Sequence, residues 1–206
     1  MNKLFSGFGK KTEPKKPVVI VSGLPRSGTS MMMKMLAEGG LAVVTDEIRS
    51  ADNDNPNGYF ELEVVKQMSE GNTIWLNNAN GKVVKVISAL LEHLPAQHTY
   101  KVIFMEREIK EVLASQKKML VNRQEESAIS DAEMEDQFRK HVAVVKAWLV
   151  RQPNMEVLYV SYNAMVNEPS SLCKKVIDFL GLPLNYERML AVPNERLYRN
   201  RKTEAR

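Results

Sequence analysis

At 206 residues the chain is long enough to bury one core but short for two full domains, and hydrophobic and charged fractions of 44% and 26% exclude wholesale disorder. No window approaches the ~20 apolar residues that cross a bilayer, a single cysteine, Cys173, excludes an intramolecular disulfide, and the histidines His93, His98 and His141 lack zinc-site spacing, so no metal is expected. The net charge of +4 and pI near 9.1 favour anionic ligands, but much of the excess sits at the chain ends without a recognisable nucleic-acid module, so no nucleic-acid partner is expected.

Residues 1–16 mix Gly, Pro and Lys without sustained periodicity and predict a basic flexible arm. They carry no apolar signal-peptide core, which makes a cytoplasmic location the expectation. The folded domain is expected over residues 17–195, followed by a basic tail over 196–206. Val18–Ser22 is a β-branched apolar run that reads as a buried strand. Gly23-x-x-x-x-Gly28 follows and then a helix over 27–39. "LAVVT" at 41–45 predicts a further strand, and "RSADNDNPNGYFE" a turn-rich polar segment.

Further strands are expected at Val83–Ile87, Val102–Met105 and Val157–Val160. A helix over 109–121 places Ile109, Val112, Leu113, Met119 and Leu120 near one face. After the acidic connection "NRQEESAISDAE", a long helix over 131–151 repeats Ala132, Phe138, Val142, Val145 and Leu149, with Asp131 as its N-cap. "SLCKKVIDFL" is a helix in which Cys173 reads as a small buried thiol, and Gly181 with Pro183 stops it. Strands alternating with helices imply a three-layer α/β sandwich with a mostly parallel central sheet. In such sheets ligands bind beyond the carboxyl ends of the strands.

The first strand, loop and helix form a candidate anion site. Glycines at both ends of the loop, Gly23 and Gly28, turn backbone N–H groups inward, and the following helix adds its positive end. Ser27, Thr29 and Ser30 offer hydroxyl donors, and Arg26 brings a permanent charge. Thr29 stands where a P-loop NTPase places lysine, which weakens a kinase reading.

"GLPRSGTSMMMKML" resembles the 5′-phosphosulfate loop of sulfotransferases that use 3′-phosphoadenosine 5′-phosphosulfate (PAPS), in which a Pro-Arg/Lys-Ser-Gly-Thr stretch replaces the Walker lysine. The resemblance implies a P-loop NTPase-like fold, PAPS as co-substrate, and contact of Arg26 with the transferring sulfuryl group. "YKVIFMEREIKEVLASQKKML" is similar to the family's 3′-phosphate segment, a strand ending in Arg with Ser eight residues on. This implies Arg107 and Ser115 as 3′-phosphate ligands. Their ordinary alternatives are a surface salt bridge of Arg107 with Glu106 or Glu111, and a small residue at a helix contact. "VLYVSYNAMVNEPSSLCKKVIDFLGLPL" resembles the family's third segment and implies Tyr162 near the adenine. The resemblance spans residues 17 to about 190 and is nearest to compact bacterial-type domains.

Sulfuryl transfer moves less negative charge than phosphoryl transfer, so side chains and amides can stabilise it without a required metal. Arg26, always protonated, stabilises the leaving phosphate rather than donating a proton. Cytosolic relatives carry Lys-Thr-His-Leu-Pro after the next strand. Here "VKVISALLEHLP" places Lys85 at the lysine and Ile87 at the histidine. Glu61 is the expected base, with Lys85 as helper and Asp46 or Glu47 as fallback. The acceptor, a small molecule, glycan or lipid bearing a hydroxyl or amine, is not legible, and neither is the oligomeric state. Tyr59, Phe60 and Trp75 are candidates for its wall. Alternatives are a Mg²⁺-dependent P-loop kinase and a catalytically silent nucleotide- or partner-binding domain of the same fold.

Overall fold

The computed structural model describes residues 16–46, 58–125 and 127–193. The expected arm, apart from its last residue, and the expected tail lie outside the described residues. Four strands, β1 (Val18–Gly23), β2 (Val83–Lys85), β3 (Tyr100–Glu106) and β4 (Met155–Ser161), form one parallel sheet in the order β2-β1-β3-β4. The central strand β1 is buried along its whole length, which explains its unbroken apolar run.

Alternation along the pleat divides the core in two. Val19 and Val21 of β1, with Ile103 and Met105 of β3, face a layer made by α1 (Thr29–Glu38), α4 (Tyr162–Asn167), α5 (Pro169–Leu180) and α6 (Tyr186–Leu190). Val18 and Ile20, with Val84, Val102 and Phe104, face short 3-10 helices at Glu63–Glu70, Ile74–Asn78 and Ser88–His93, and the C-terminal half of α3 (Asp131–Leu149). The remaining helix, α2 (Ile109–Asn122), follows β3. The expected three-layer architecture is present.

α1 is apolar nearly all round because it is covered on both sides. Met31, Met32, Met33, Met35 and Leu36 are all buried, each contributing roughly 1.5–3 kcal/mol. Its far end is held by α6: Asn185 N–H donates to the Gly39 carbonyl at 2.9 Å, Arg188 pairs with Glu38 at 2.9 Å, and the Met189 side chain packs on Gly39 so tightly that a Cβ there would lie 2.8 Å from its sulfur. Lys101 of β3 donates to the carbonyls of Phe179 and Leu180 at 2.6 and 3.2 Å, satisfying the end of α5 before Gly181 turns out at φ 65°.

Three expectations need correction. Residues 41–45 form no strand of the sheet but a single parallel bridge, Val43 to Val83. The chain then turns away as Thr45 and Asp46 bond to Glu61 and Glu63. α3 is capped by Ser130, not Asp131: Ser130 Oγ accepts from Glu133 N–H and the Glu133 side chain reaches back to Ser130 N–H, a reciprocal capping box. The N-terminal part of α3 is not a core face, since Ala132 is exposed while Val145 and Leu149 are buried.

Candidate active site

The loop from β1 to α1 owes its shape to residues that fit nowhere else. Gly23 has φ 143°, and a Cβ there would lie 2.5 Å from the Met105 carbonyl oxygen and 2.6 Å from Ser27 Oγ. Ser27 is buried, and its hydroxyl donates to the Leu24 carbonyl at 2.7 Å. This bond braces the loop from inside. Arg26 is held at φ 69°, a left-handed conformation uncommon outside glycine. Gly28 stands at φ 97° against the Tyr162 ring, where a Cβ would lie 2.3 Å from Cδ2.

α1 starts at Thr29 without a side-chain cap, unlike α3 with its capping box. The first-turn amides of a helix have no intrahelical partner and carry the positive end of the helix dipole. Thr29 is buried and Ser30 half-buried at this entrance.

Arg107 follows directly on the last residue of β3 and reaches back over the loop. Its Nη1 donates to the Arg26 carbonyl at 3.2 Å, and its guanidinium carbon lies 4.3 Å from the Tyr162 ring centroid, a stacked cation–π arrangement. Its Nε donates to Glu111 Oε2 at 3.0 Å. Of the two anticipated alternatives, Glu111 is thus a real partner, but the pair is buried at 7% and 5% side-chain exposure rather than superficial. Glu106 pairs with Lys146 instead. Glu111 also accepts from Asn163 Nδ2, at 3.1 and 3.2 Å to its two oxygens.

Helical spacing puts Glu111 and Ser115 on one face of α2, turned toward the loop. There Arg26 Nε donates to Ser115 Oγ at 2.9 Å, so Arg26, Arg107 and Ser115, predicted from separate segments, meet. Burial pushes the Tyr162 hydroxyl above its ordinary pKa, while the Arg107 charge pulls it back in part.

On the other side of the loop, Lys85 at the end of β2 donates to the Tyr59 carbonyl at 2.9 Å and to Ser30 Oγ at 3.3 Å. Glu61 Oε1 lies 3.9 Å from the same ammonium. Lys85 and Glu61 therefore stand together at the first turn of α1. Asp46 is committed elsewhere, accepting from Glu63 N–H at 2.5 Å, and Glu47 lies outside the described residues. Ile87 is 38% exposed at the position of the relatives' histidine. His93 ends a 3-10 helix, and His141 of α3 bonds to Ser88 Oγ at 2.9 Å. Tyr59 and Trp75 are core residues, and Phe60 packs partly buried against the α1 side of the core.

Sequence reasoning did not assign Glu111 and Asn163 to the site. The spacing of Glu111 four residues from both Arg107 and Ser115 was a usable signal; Asn163, brought in by α4, had none.

The sequence matches the sulfotransferase domain family over residues 16–205. No curated protein matches it significantly. Solved structures share the fold at low identity. The mouse sulfotransferase SULT7A1 complexed with PAP superposes with TM-score 0.56 and 18% identity, covering 93% of this chain and 67% of that one. The sulfotransferase domain of the Synechococcus PCC 7002 olefin synthase gives 0.52 and 14%, covering 93% and 86%. Retinol dehydratase in a complex with retinol and PAP gives 0.51 and 19%, covering 91% and 67%.

Proposed function

Because the chain belongs to the sulfotransferase domain family, we propose that it transfers a sulfuryl group from PAPS to a hydroxyl or amine of a small-molecule acceptor, in line and without a required metal. The observation that carries this reading is the crossed pair at the loop: Arg107 donates to the Arg26 carbonyl while Arg26 donates to Ser115. One cluster thus presents cationic and hydroxyl donors at two adjoining places, as a nucleotide with a 5′-phosphosulfate and a 3′-phosphate requires. The donor set suits such a ligand, and Gly23 and Gly28 let the loop pack directly on the Met105 carbonyl and the Tyr162 ring, which fixes its shape.

PAPS supplies the sulfuryl group. The loop amides, Thr29, Ser30 and the α1 N-terminus hold its 5′ end, and Arg107 and Ser115 its 3′-phosphate. Tyr162 packs near the base. Arg26 leaves Ser115 to stabilise the charge that develops on the leaving phosphate. Glu61 takes the acceptor's proton, and Lys85 orients Glu61 beside the donor loop.

Calorimetric titration with 3′-phosphoadenosine 5′-phosphate (PAP) in EDTA, beside ATP and GTP with Mg²⁺, tests the donor site. Metal-independent preference for PAP is expected. Preference for a triphosphate with Mg²⁺ overturns the reading in favour of a kinase. Ile87 in the histidine position favours a second reading, a binding domain without turnover. PAP binding with no transfer to any acceptor in a PAPS screen supports that one.

A further inference from the structure

We infer that Glu111 and Asn163 are positioning residues for Arg107, and that through Arg107 they tie the placement of Arg26 to the site of the donor's 3′-phosphate. The inference rests on the donor reading above and adds that the 3′-phosphate governs the transfer step as well as binding.

Arg107 is fixed in three directions. Its Nε edge meets Glu111 at 3.0 Å, its Nη1 meets the Arg26 carbonyl at 3.2 Å, and its face lies on the Tyr162 ring at 4.3 Å. A buried carboxylate holds a guanidinium in one orientation only if the carboxylate is itself held. Asn163 does this by placing one amide nitrogen 3.1 and 3.2 Å from the two Glu111 oxygens, which sets the plane of the carboxylate. Asn163 is fixed in turn at the start of α4, where Ser161 caps the helix by accepting from Ala164 N–H at 3.2 Å.

The other end of the strut is the backbone of Arg26. Its left-handed conformation, φ 69°, sets the direction in which its side chain leaves the loop, and Arg107 bonds the carbonyl of that same residue. Arg107 cannot adjust to a 3′-phosphate without acting on the backbone that aims Arg26. A donor lacking that phosphate therefore leaves Arg26 less well aimed. Asn163, some distance along the chain from either arginine, controls both.

The test compares Asn163→Ala with wild type in two readouts: calorimetric affinity for PAP and for 5′-AMP, and kcat at saturating PAPS. We expect the PAP to 5′-AMP affinity ratio to fall about tenfold, equivalent to ~1.4 kcal/mol, with 5′-AMP affinity nearly unchanged. We expect kcat to fall by about tenfold or more. A lowered melting temperature with an unchanged ratio and unchanged kcat means Asn163 is merely structural and overturns the inference. A lowered ratio with unchanged kcat overturns the coupling to Arg26. Wild type that fails to prefer PAP over 5′-AMP overturns the donor reading, and this inference with it. Glu111→Gln, which keeps the side-chain shape and an oxygen for Arg107, is judged by the same criteria should Asn163→Ala not fold.

Discussion

Arg26 donates its Nε to Ser115 Oγ at 2.9 Å, so the side chain proposed to act on the sulfuryl group rests on one proposed to hold the 3′-phosphate, 89 residues away in sequence. The bond anchors Arg26 from outside its own loop. Arg26→Ala removes the stabilising charge but no core contact. Transfer is expected to fall at least about 10²–10³-fold while circular dichroism and the melting temperature stay near wild type. Retained turnover removes Arg26 from the mechanism.

Arg107→Ala separates binding from stability. A charged hydrogen bond to the 3′-phosphate contributes about 1.5–3 kcal/mol, so PAP affinity is expected to fall roughly 10–100-fold while 5′-AMP affinity changes little. Equal loss for both nucleotides refutes the assignment. The same change strands a carboxylate that is only 5% exposed, at a cost on the order of 3–5 kcal/mol. The double variant Arg107→Ala with Glu111→Gln is expected to recover much of the melting temperature and none of the PAP affinity.

Gly28→Ala tests the cradle. The position has φ 97°, and the new methyl would lie 2.3 Å from the Tyr162 ring, so backbone strain and overpacking add. A melting temperature lowered by roughly 5–15 °C is expected, with PAP affinity lost in parallel. An unchanged melting temperature means that neither the ring contact nor the left-handed backbone at this position is strained.

Tyr100 gives a pH signature. Burial raises its hydroxyl well above the ordinary tyrosine range, and that hydroxyl donates to the Pro95 carbonyl at 2.9 Å. The unfolded chain loses this proton near pH ~10 while the folded chain keeps it. Stability is therefore full below that pH and falls as pH rises above it. Tyr162, also raised chiefly by burial, adds in the same direction. Tyr100→Phe is expected to lose about 1 kcal/mol near neutrality yet decline less steeply in urea titrations above pH ~10. An unchanged alkaline slope contradicts the assignment.

Glu61→Gln keeps the shape beside Lys85 and removes the proposed base. We expect kcat to fall about 10²-fold or more with PAP affinity unchanged. Wild-type turnover places the base elsewhere.

β1 is legible because burial on both faces writes an unbroken apolar run, Val18–Val21, whereas edge strand β4 keeps its apolar run with only Met155 and Val160 buried. The stretch around Val43 has the same composition but forms only one bridge, because Thr45 and Asp46 find partners in Glu61 and Glu63; that competition is tertiary and leaves no local trace. The cap of α3 was readable in Ser130 and Glu133, three residues apart, and Asp131 was the wrong choice between neighbours. Near the loop, Arg26, Arg107 and Tyr162 stand at strand or helix boundaries, and Ser115 lies within α2 two turns from Arg107; short motifs name all four as candidates. The bond of Ser27 to the Leu24 carbonyl is a contact within the loop that no motif encodes. The Asn163 contact with Glu111 escapes such reading because it depends on α4 meeting α2, and no spacing along the chain encodes that meeting.

The clamp of α6 on the end of α1 implies an order of events during translation. β1, the donor loop and α1 leave the ribosome well before α6, yet the residues that cover Gly39 and pair with Glu38 are Met189 and Arg188, 150 residues later. Until they emerge, the methionine-rich surface of α1 lacks its final cover. Nascent chains are therefore open to chaperones on that surface, and a message truncated before α6 would yield a protein that holds every proposed donor residue but no closed core to carry them.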